Sequence, residues 1–243
     1  MHDFLIIIPA FNEQESMESV INSLKQLNSP FDIVVIDDGS TDGTAGRARS
    51  FGVNVVSHPT NLGYLSAVQT GFIYAAQRNY PYVIFFDGDG QHDSANIIDM
   101  METIKLEDVD VVIGSRLLQD GDMKIGISKM VGIQLFQRII YLTTRKHITD
   151  PTSGFKAYKA KVYNKFTKSS DFFYDLPDSN FIIDILRRKL TIKEIPVNMF
   201  NRQNGKSKIH NTGLKPAIYV AQTLLSIFIV MTKKEESIRL VEK

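Results

Sequence analysis

Carboxylates in this sequence gather where short apolar runs end. The run Phe31–Asp37 leads into Asp38-Gly39-Ser40, the run Tyr82–Asp87 into Gly88-Asp89-Gly90-Gln91-His92, and the run Phe4–Pro9 into Ala10-Phe11-Asn12-Glu13. If these ends meet, Glu13, Asp37, Asp38, Asp87 and Asp89 share one crevice. That density of negative charge is costly unless a cation or hydrogen-bond donors offset it. Asp87, Asp89 and Gln91 offer only hard oxygen ligands, a set that selects Mg²⁺ or Mn²⁺ over zinc. Gly88 and Gly90 let the backbone turn sharply and approach a ligand closely. A calcium-binding helix–loop–helix is excluded: counted from Asp87, the sixth and twelfth positions hold His92 and Ile98 instead of Gly and Glu. A plain strand-to-helix turn needs one capping Asp, not two between glycines.

The elements that must position these residues alternate in period. Phe4–Pro9, Phe31–Asp37, Val53–Ser57, Tyr82–Asp87 and Val109–Ser115 are apolar runs suited to strands buried on both faces. Helical segments are expected between them over Gln14–Leu27, Asp42–Phe51, Tyr64–Asn79 and Asp93–Leu106, the second opened by Ser40-Thr41-Asp42 and closed by Gly52. This alternation predicts an α/β fold whose parallel sheet is covered by helices on both sides, with ligands bound at the carboxyl ends of the strands. Further on, the pattern gives a helix over Ile127–Arg145, a strand near Gly154–Tyr158, a helix near Ser179–Lys189 and a strand near Thr191–Val197. Met199–Gly213 is polar and basic and reads as a loop. No linker divides the chain. One domain is expected over 1–213, with a binding half over 1–115 and an elaborated half over 116–213, followed by a C-terminal helix and tail over 214–243.

Composition narrows the function classes. The chain has 243 residues, 23% of them charged, and a formal net charge of only +1, so no nucleic-acid partner is expected. The absence of cysteine excludes disulfides and thiolate chemistry. The N-terminus lacks the basic start and cleavage site of a signal peptide, which makes the cytoplasm the default location. Pro216–Thr232 is uncharged for 17 residues. As a helix it reaches about 25 Å, short of a bilayer core of about 30 Å. Tyr219, Gln222, Thr223 and Ser226 give it a polar stripe, and lysines flank it, so contact with the inner face of the cell membrane is expected, with a core or oligomer helix as the alternative.

Other nucleotide motifs fail. Gly205-Lys206-Ser207 lacks the earlier glycine of a phosphate loop, since Phe200 stands there, and no G-x-G-x-x-G follows a strand. What does recur, in order, is Pro9-Ala10-Phe11-Asn12-Glu13, Asp37-Asp38-Gly39-Ser40-Thr41-Asp42-Gly43-Thr44, Asn61-Leu62-Gly63, Asp87-Gly88-Asp89-Gly90-Gln91-His92, Gly114-Ser115-Arg116 and Asp150-Pro151-Thr152-Ser153-Gly154-Phe155, with Arg202-x-x-Gly205-x-Ser207-Lys208 beyond. In these the chain resembles the family 2 glycosyltransferases of the GT-A fold, and most closely the polyprenyl-phosphate or dolichol-phosphate sugar synthase group.

The resemblance implies a Rossmann-like, mostly parallel sheet and an inverting transfer of sugar from a nucleotide diphosphate sugar, UDP favoured and GDP-mannose possible, to a polyprenyl phosphate or another lipid-linked acceptor. It implies nucleotide binding by Pro9, Ala10, Phe11, Glu13, Asp37, Asp38, Gly63, Asp87 and Gly88. Asp87, Asp89 and Gln91 would hold the metal, and Arg202 and Lys208 would close over the diphosphate. Arg116 and Lys129 would grip the acceptor phosphate beside Ser153, and Asp150 would be the base if the acceptor were a hydroxyl. Asp89, Asp150 and Arg116 are thus the expected catalytic residues. Many relatives in that group carry C-terminal membrane helices. Here one helix stands in their place: either it docks on the bilayer, beside a small membrane-protein partner or a second copy, or the acceptor is not a lipid phosphate.

Overall fold

The computed structural model describes residues 2–119, 126–167, 179–200, 223–225, 227 and 231–232, and within these the side chains of 127–129 are left aside. Arg202, Lys208, the side chain of Lys129 and most of the 214–243 segment therefore lie outside the described residues. Seven strands form one sheet: β1 (Phe4–Ala10), β2 (Phe31–Asp37), β3 (Asn54–Ser57), β4 (Tyr82–Phe85), β5 (Val111–Ser115), β6 (Lys156–Lys159) and β7 (Ile192–Pro196). Their order is β3-β2-β1-β4-β6-β5-β7. Every pairing is parallel except those of β6, which runs antiparallel between β4 and β5.

β1 shows why the sheet is central. All seven of its residues are buried. Successive side chains of a strand point to opposite faces, and β1 feeds both: Leu5 and Ile7 join one core and Phe4, Ile6 and Ile8 the other. The second core is completed by Met17, Val20, Ile21 and Leu24 from α1 (Gln14–Gln26) and by Ile97, Met100 and Ile104 from α4 (Asn96–Leu106). The first takes Val68, Phe72 and Ala75 from α3 (Tyr64–Gln77), Phe136 and Ile140 from α5 (Ile127–Thr144), and Ile182, Ile183 and Ile185 from α7 (Ser179–Arg187). Helices thus cover both faces, as the alternating pattern predicts.

Two remaining helices are short: α2 (Thr44–Ser50) and α6 (Ala160–Tyr163). Helix α2 starts two residues later than expected. The Asp42 carboxylate accepts from Thr44 N at 2.9 Å, and Gly52 at φ +72° donates to Arg49 O at 2.9 Å beyond its end. Short pieces of helix are described near the C-terminus. There the expected polar stripe is turned inward at Thr223, which is buried, while Leu224, Leu225 and Met231 are exposed and Ile227 joins the core of Phe136 and Ile140. Among the described residues no helix is long and apolar enough to cross a membrane.

Candidate active site

The parallel register brings the ends of β1, β2 and β4 to one edge. Ala10 pairs with Asp37, and Ile7 with Phe85. The loops leaving this edge are stitched to each other. Asn12 N donates to Ser40 Oγ at 2.9 Å, Thr41 N to Asn12 Oδ1 at 2.8 Å, and Glu13 N to Thr44 Oγ1 at 2.9 Å. Asn12 has a left-handed backbone (φ +53°), which asparagine tolerates better than most residues. Pro9 and Ala10, the last residues of β1, are buried beneath these loops, and Phe11 follows them at the rim.

The two neighbouring aspartates at the end of β2, Asp37 and Asp38, are used differently from one another. Asp37 Oδ1 accepts from Ser40 N at 3.1 Å and closes its own turn. Asp38 turns to the next loop. It accepts from Leu62 N at 2.9 Å and Gly63 N at 2.8 Å, and lies 2.7 Å from His58 Nδ1, whose Nε2 is 2.8 Å from Thr70 Oγ1. Asp38 and the His58 side chain are both buried. Asp38 therefore fixes the 58–63 loop at the start of α3. His58 was not singled out in the sequence because a lone histidine carries little signal. His58→Ala removes one partner of a buried carboxylate, and about 1–3 kcal/mol of stability should be lost in urea unfolding. An unchanged urea midpoint would show that the network holds nothing.

The Asp87-Gly88-Asp89 loop is anchored from below. Gly88 leaves only a tight space for a side chain, since a Cβ there would meet Ile8 Cγ2 and Pro9 O at 3.3 Å. Its carbonyl accepts from Ser16 Oγ at 2.6 Å. Gly90 takes φ +73° and turns the chain. Thus Gly88 serves packing on β1, and only Gly90 supplies the turn expected of both. Asp89 Oδ1 accepts from Gln91 N at 3.0 Å. Gln91 Nε2 donates to Phe200 O at 3.3 Å, and Phe200 N to Gln91 O at 2.7 Å. Phe200, the last described residue before the basic segment, is therefore attached to the carboxylate loop itself.

The Asp87 side chain is 29% exposed. Burial works to raise its pKa, but the His92 hydrogen bond and the charges of His92, Arg116 and Lys156 outweigh it and hold the carboxyl below its ordinary 3.8. His92 Nε2 lies 3.1 Å from Asp87 Oδ2, and the ring is wedged between Phe86 and Phe155.

The antiparallel β6 completes the rim. Because it runs against its neighbours, the loop before it, Asp150–Phe155, arrives at the edge where β4 and β5 end. Gly154 sits against the first aspartate: a Cβ there would be 3.1 Å from Asp87 Oδ2 and 3.2 Å from the Tyr64 hydroxyl. Arg116, next after β5, grips Asp150 with both ends of its fork, Nε to Oδ2 at 2.6 Å and one terminal nitrogen to Oδ1 at 2.7 Å, and also reaches Thr152 Oγ1 at 2.8 Å. Asp150 is 0% exposed. Burial would raise its pKa, and the Arg116 contacts bring it below 3.8 instead. Asp150, expected as the base only for a hydroxyl acceptor, is enclosed and paired to Arg116, whereas a base must reach its proton. Glu194 of β7, also missed in the sequence, secures this corner by accepting from Thr149 N at 2.7 Å and Asp150 N at 2.9 Å. Ser153 is buried and accepts from Phe155 N at 3.3 Å, so it shapes the loop.

Among the described residues, no three of His, Asp or Glu form a ready-made metal cluster. The expected convergence of five carboxylates is thus a shared edge, not a cage. That still fits Mg²⁺ or Mn²⁺, which is commonly held by one or two carboxylates plus the oxygens of a substrate phosphate. A surface depression of about 450 Å³ lined by His2, Phe4, Pro30, Met101 and Lys105 lies where the strands begin, at the far end from these residues.

The family model described as "Glycosyl transferase family 2" matches residues 5–167, which span the strand-end loops and the Asp150–Phe155 loop. The chain belongs to glycosyltransferase family 2. It is 26% identical to a polyprenol monophosphomannose synthase of Mycolicibacterium smegmatis over 88% of this chain and 84% of that one. It is 28% identical to an undecaprenyl-phosphate mannosyltransferase of Micrococcus luteus over 84% and 86%. Among solved structures it is similar to glucosyl-3-phosphoglycerate synthase from Mycobacterium tuberculosis, with a TM-score of 0.72 at 19% identity over 93% of this chain and 80% of that one. That enzyme has also been crystallised with Mn²⁺, UDP-glucose and phosphoglyceric acid. The fold of this family 2 chain is accordingly the GT-A fold. Its relatives include polyprenyl-phosphate sugar synthases.

Proposed function

We propose that this protein is an inverting, divalent-metal-dependent transferase that moves a sugar from a nucleotide diphosphate sugar, UDP-linked in preference to GDP-linked, to a polyprenyl phosphate. The observation that carries the reading is the contact between two rims. The Asp87–Asp89 loop, suited to a donor diphosphate, meets the Arg116–Asp150 corner across Gly154. The names of the Mycolicibacterium and Micrococcus relatives support a lipid-phosphate acceptor, and the Mn²⁺ and UDP-glucose complex of the mycobacterial enzyme supports the metal and the uridine donor.

In this reading Asp87 and Asp89, with Gln91 beside them, would hold the ion, which when bound supplies Lewis-acid stabilisation of the departing diphosphate. The chain's own residues do the rest. His92, Arg116 and Lys156 keep Asp87 ionised, so that it is ready as an oxygen ligand at neutral pH. The stitched loops 10–13 and 37–44 form the nucleotide floor. Arg202 and Lys208 would add positive charge over the diphosphate from the segment that starts at Phe200. Arg116, held in place by Asp150 and Thr152, would set its positive charge toward an acceptor phosphate. A phosphate acceptor is already ionised and attacks without a base, which agrees with Asp150 being held by arginine. A hydroxyl acceptor would require a base that Asp150 is poorly placed to be.

The test is to incubate the full chain with undecaprenyl phosphate, Mn²⁺ and, in turn, UDP-glucose, UDP-N-acetylglucosamine and GDP-mannose. One donor should yield an acid-labile sugar–phosphate lipid. If none does while a lipid-linked or saccharide hydroxyl is glycosylated, the acceptor assignment is lost. Nucleotide-sugar binding without any transfer would make the chain a binding protein instead.

A further inference from the structure

Helix α5 is apolar on both of its faces. Ile133, Phe136 and Ile140 are buried, the last two in the core shared with α3 and α7. On the opposite side Val131, Gln134, Leu135, Arg138, Tyr141 and Leu142 are all exposed and recur at helical spacing, with Val131 at 61% and Leu142 at 67%. A solvated helix ordinarily places polar residues there, so this outer stripe is unusual for a face that only meets water. Its charge is also one-sided. From Met123 to Thr149 the sequence has no Asp or Glu but has Lys124, Lys129, Arg138, Arg145 and Lys146, in a chain whose acidic and basic residues almost cancel as a whole.

We infer that the outer face of α5 is a docking surface for an anionic lipid bilayer. Exposed apolar side chains would enter the headgroup boundary, while arginines and lysines reach the phosphates around them. A neutral or basic partner face would lack this match between an acid-free basic segment and its target, and a second copy of the same basic face would be repelled. The helix is also well placed with respect to the site. Gln137 Nε2 donates to Thr149 O at 2.6 Å, next to Asp150, so a seated α5 holds the Arg116–Asp150 corner near the membrane. Leu224, Leu225 and Met231, in short helical pieces near the C-terminus, are exposed, Ile227 joins the same core as Phe136 and Ile140, and these residues give a second apolar contact on that side of the sheet. The inference adds to the proposed lipid-phosphate acceptor by stating how such an acceptor is approached, but vesicle binding can be measured with no donor or acceptor present.

The experiment is co-sedimentation of the full chain with vesicles of phosphatidylcholine alone or mixed with phosphatidylglycerol. The parent chain should bind the mixed vesicles, and less so as salt rises. The Val131→Glu/Leu142→Glu variant should bind at least about tenfold more weakly, and Arg138→Glu/Lys146→Glu should lose the preference for phosphatidylglycerol. Leu106→Glu, a change at an exposed residue of α4, should bind like the parent. Transfer to a short, detergent-soluble prenyl phosphate should survive in the Val131→Glu/Leu142→Glu variant. Retained vesicle binding in that variant would overturn the inference, as would a parent that ignores the mixed vesicles or forms a dimer that these substitutions split. Failure of transfer to any prenyl phosphate, with vesicle binding still dependent on α5, would remove the acceptor assignment and leave the docking surface standing.

Discussion

Asp89→Ala should abolish sugar transfer and leave the fold in place. Asp89 lies in a loop at the protein surface edge, partly exposed, and its carboxylate accepts from Gln91 N. The proposed role is to complete an oxygen-ligand set with Asp87 and the donor diphosphate. Stabilisation of the departing diphosphate by a divalent ion is worth several kcal/mol, so turnover should fall by about 10³-fold or more. Melting temperature should change little, because no core residue is touched. The variant should also lose the gain in UDP affinity that Mn²⁺ confers, measured by titration calorimetry with and without the ion. Full activity in Asp89→Ala would remove the metal site from this loop.

The second large effect is expected at Asp150. Arg116 and Asp150 form a buried, doubly hydrogen-bonded pair. Breaking such a pair from one side leaves an uncompensated charge and costs about 3–5 kcal/mol. Asp150→Asn should therefore lower the urea midpoint strongly and weaken transfer together, because Arg116 loses its anchor. Arg116→Lys should retain the charge but not the fork, and recover only part of either. A base at this position would behave differently, with turnover lost at unchanged stability. The pH dependence carries a matching sign. Asp150 and Asp87 titrate below 3.8 in the folded protein, so the stability they add is complete above that value and is lost as pH falls through their lower folded values. Stability of the parent should hold level above about pH 5 and decline below it. The acid limb should be shallower in Asp150→Asn, as read from urea midpoints across pH.

Much of the fold follows from local pattern. The unbroken apolar runs at Phe4–Ala10 and Phe31–Asp37 can be satisfied only by burial on both faces, and that requirement is local to the chain. Gly52 after α2 and the long helix α5 are legible for the same reason, since caps and periodicity are properties of adjacent residues. Strand ends loaded with carboxylates then place a site at one sheet edge, because parallel neighbours share their direction.

Pairings across the chain were not legible. Nothing near Asp150 in sequence announces that Arg116, 34 residues earlier, will neutralise it. The sequence places a strand near 154–158 without a direction. Its antiparallel insertion between β4 and β5 delivers Gly154 to Asp87, and the pairing of β7 with β5 brings Glu194 to the Thr149–Asp150 backbone. Likewise Asp37 and Asp38 are adjacent and identical in type, yet one closes its own turn and the other fastens the His58 loop. By itself, the order of residues determines which side chains can do chemistry and that they reach one edge, because hydrophobic period and turn chemistry act over a few neighbours. Only the tertiary structure decides which carboxylates remain available to a ligand and which are bound up by arginine, histidine or backbone N–H groups, because a buried charge is governed by partners that the folded sheet, and not the chain, brings within hydrogen-bonding distance.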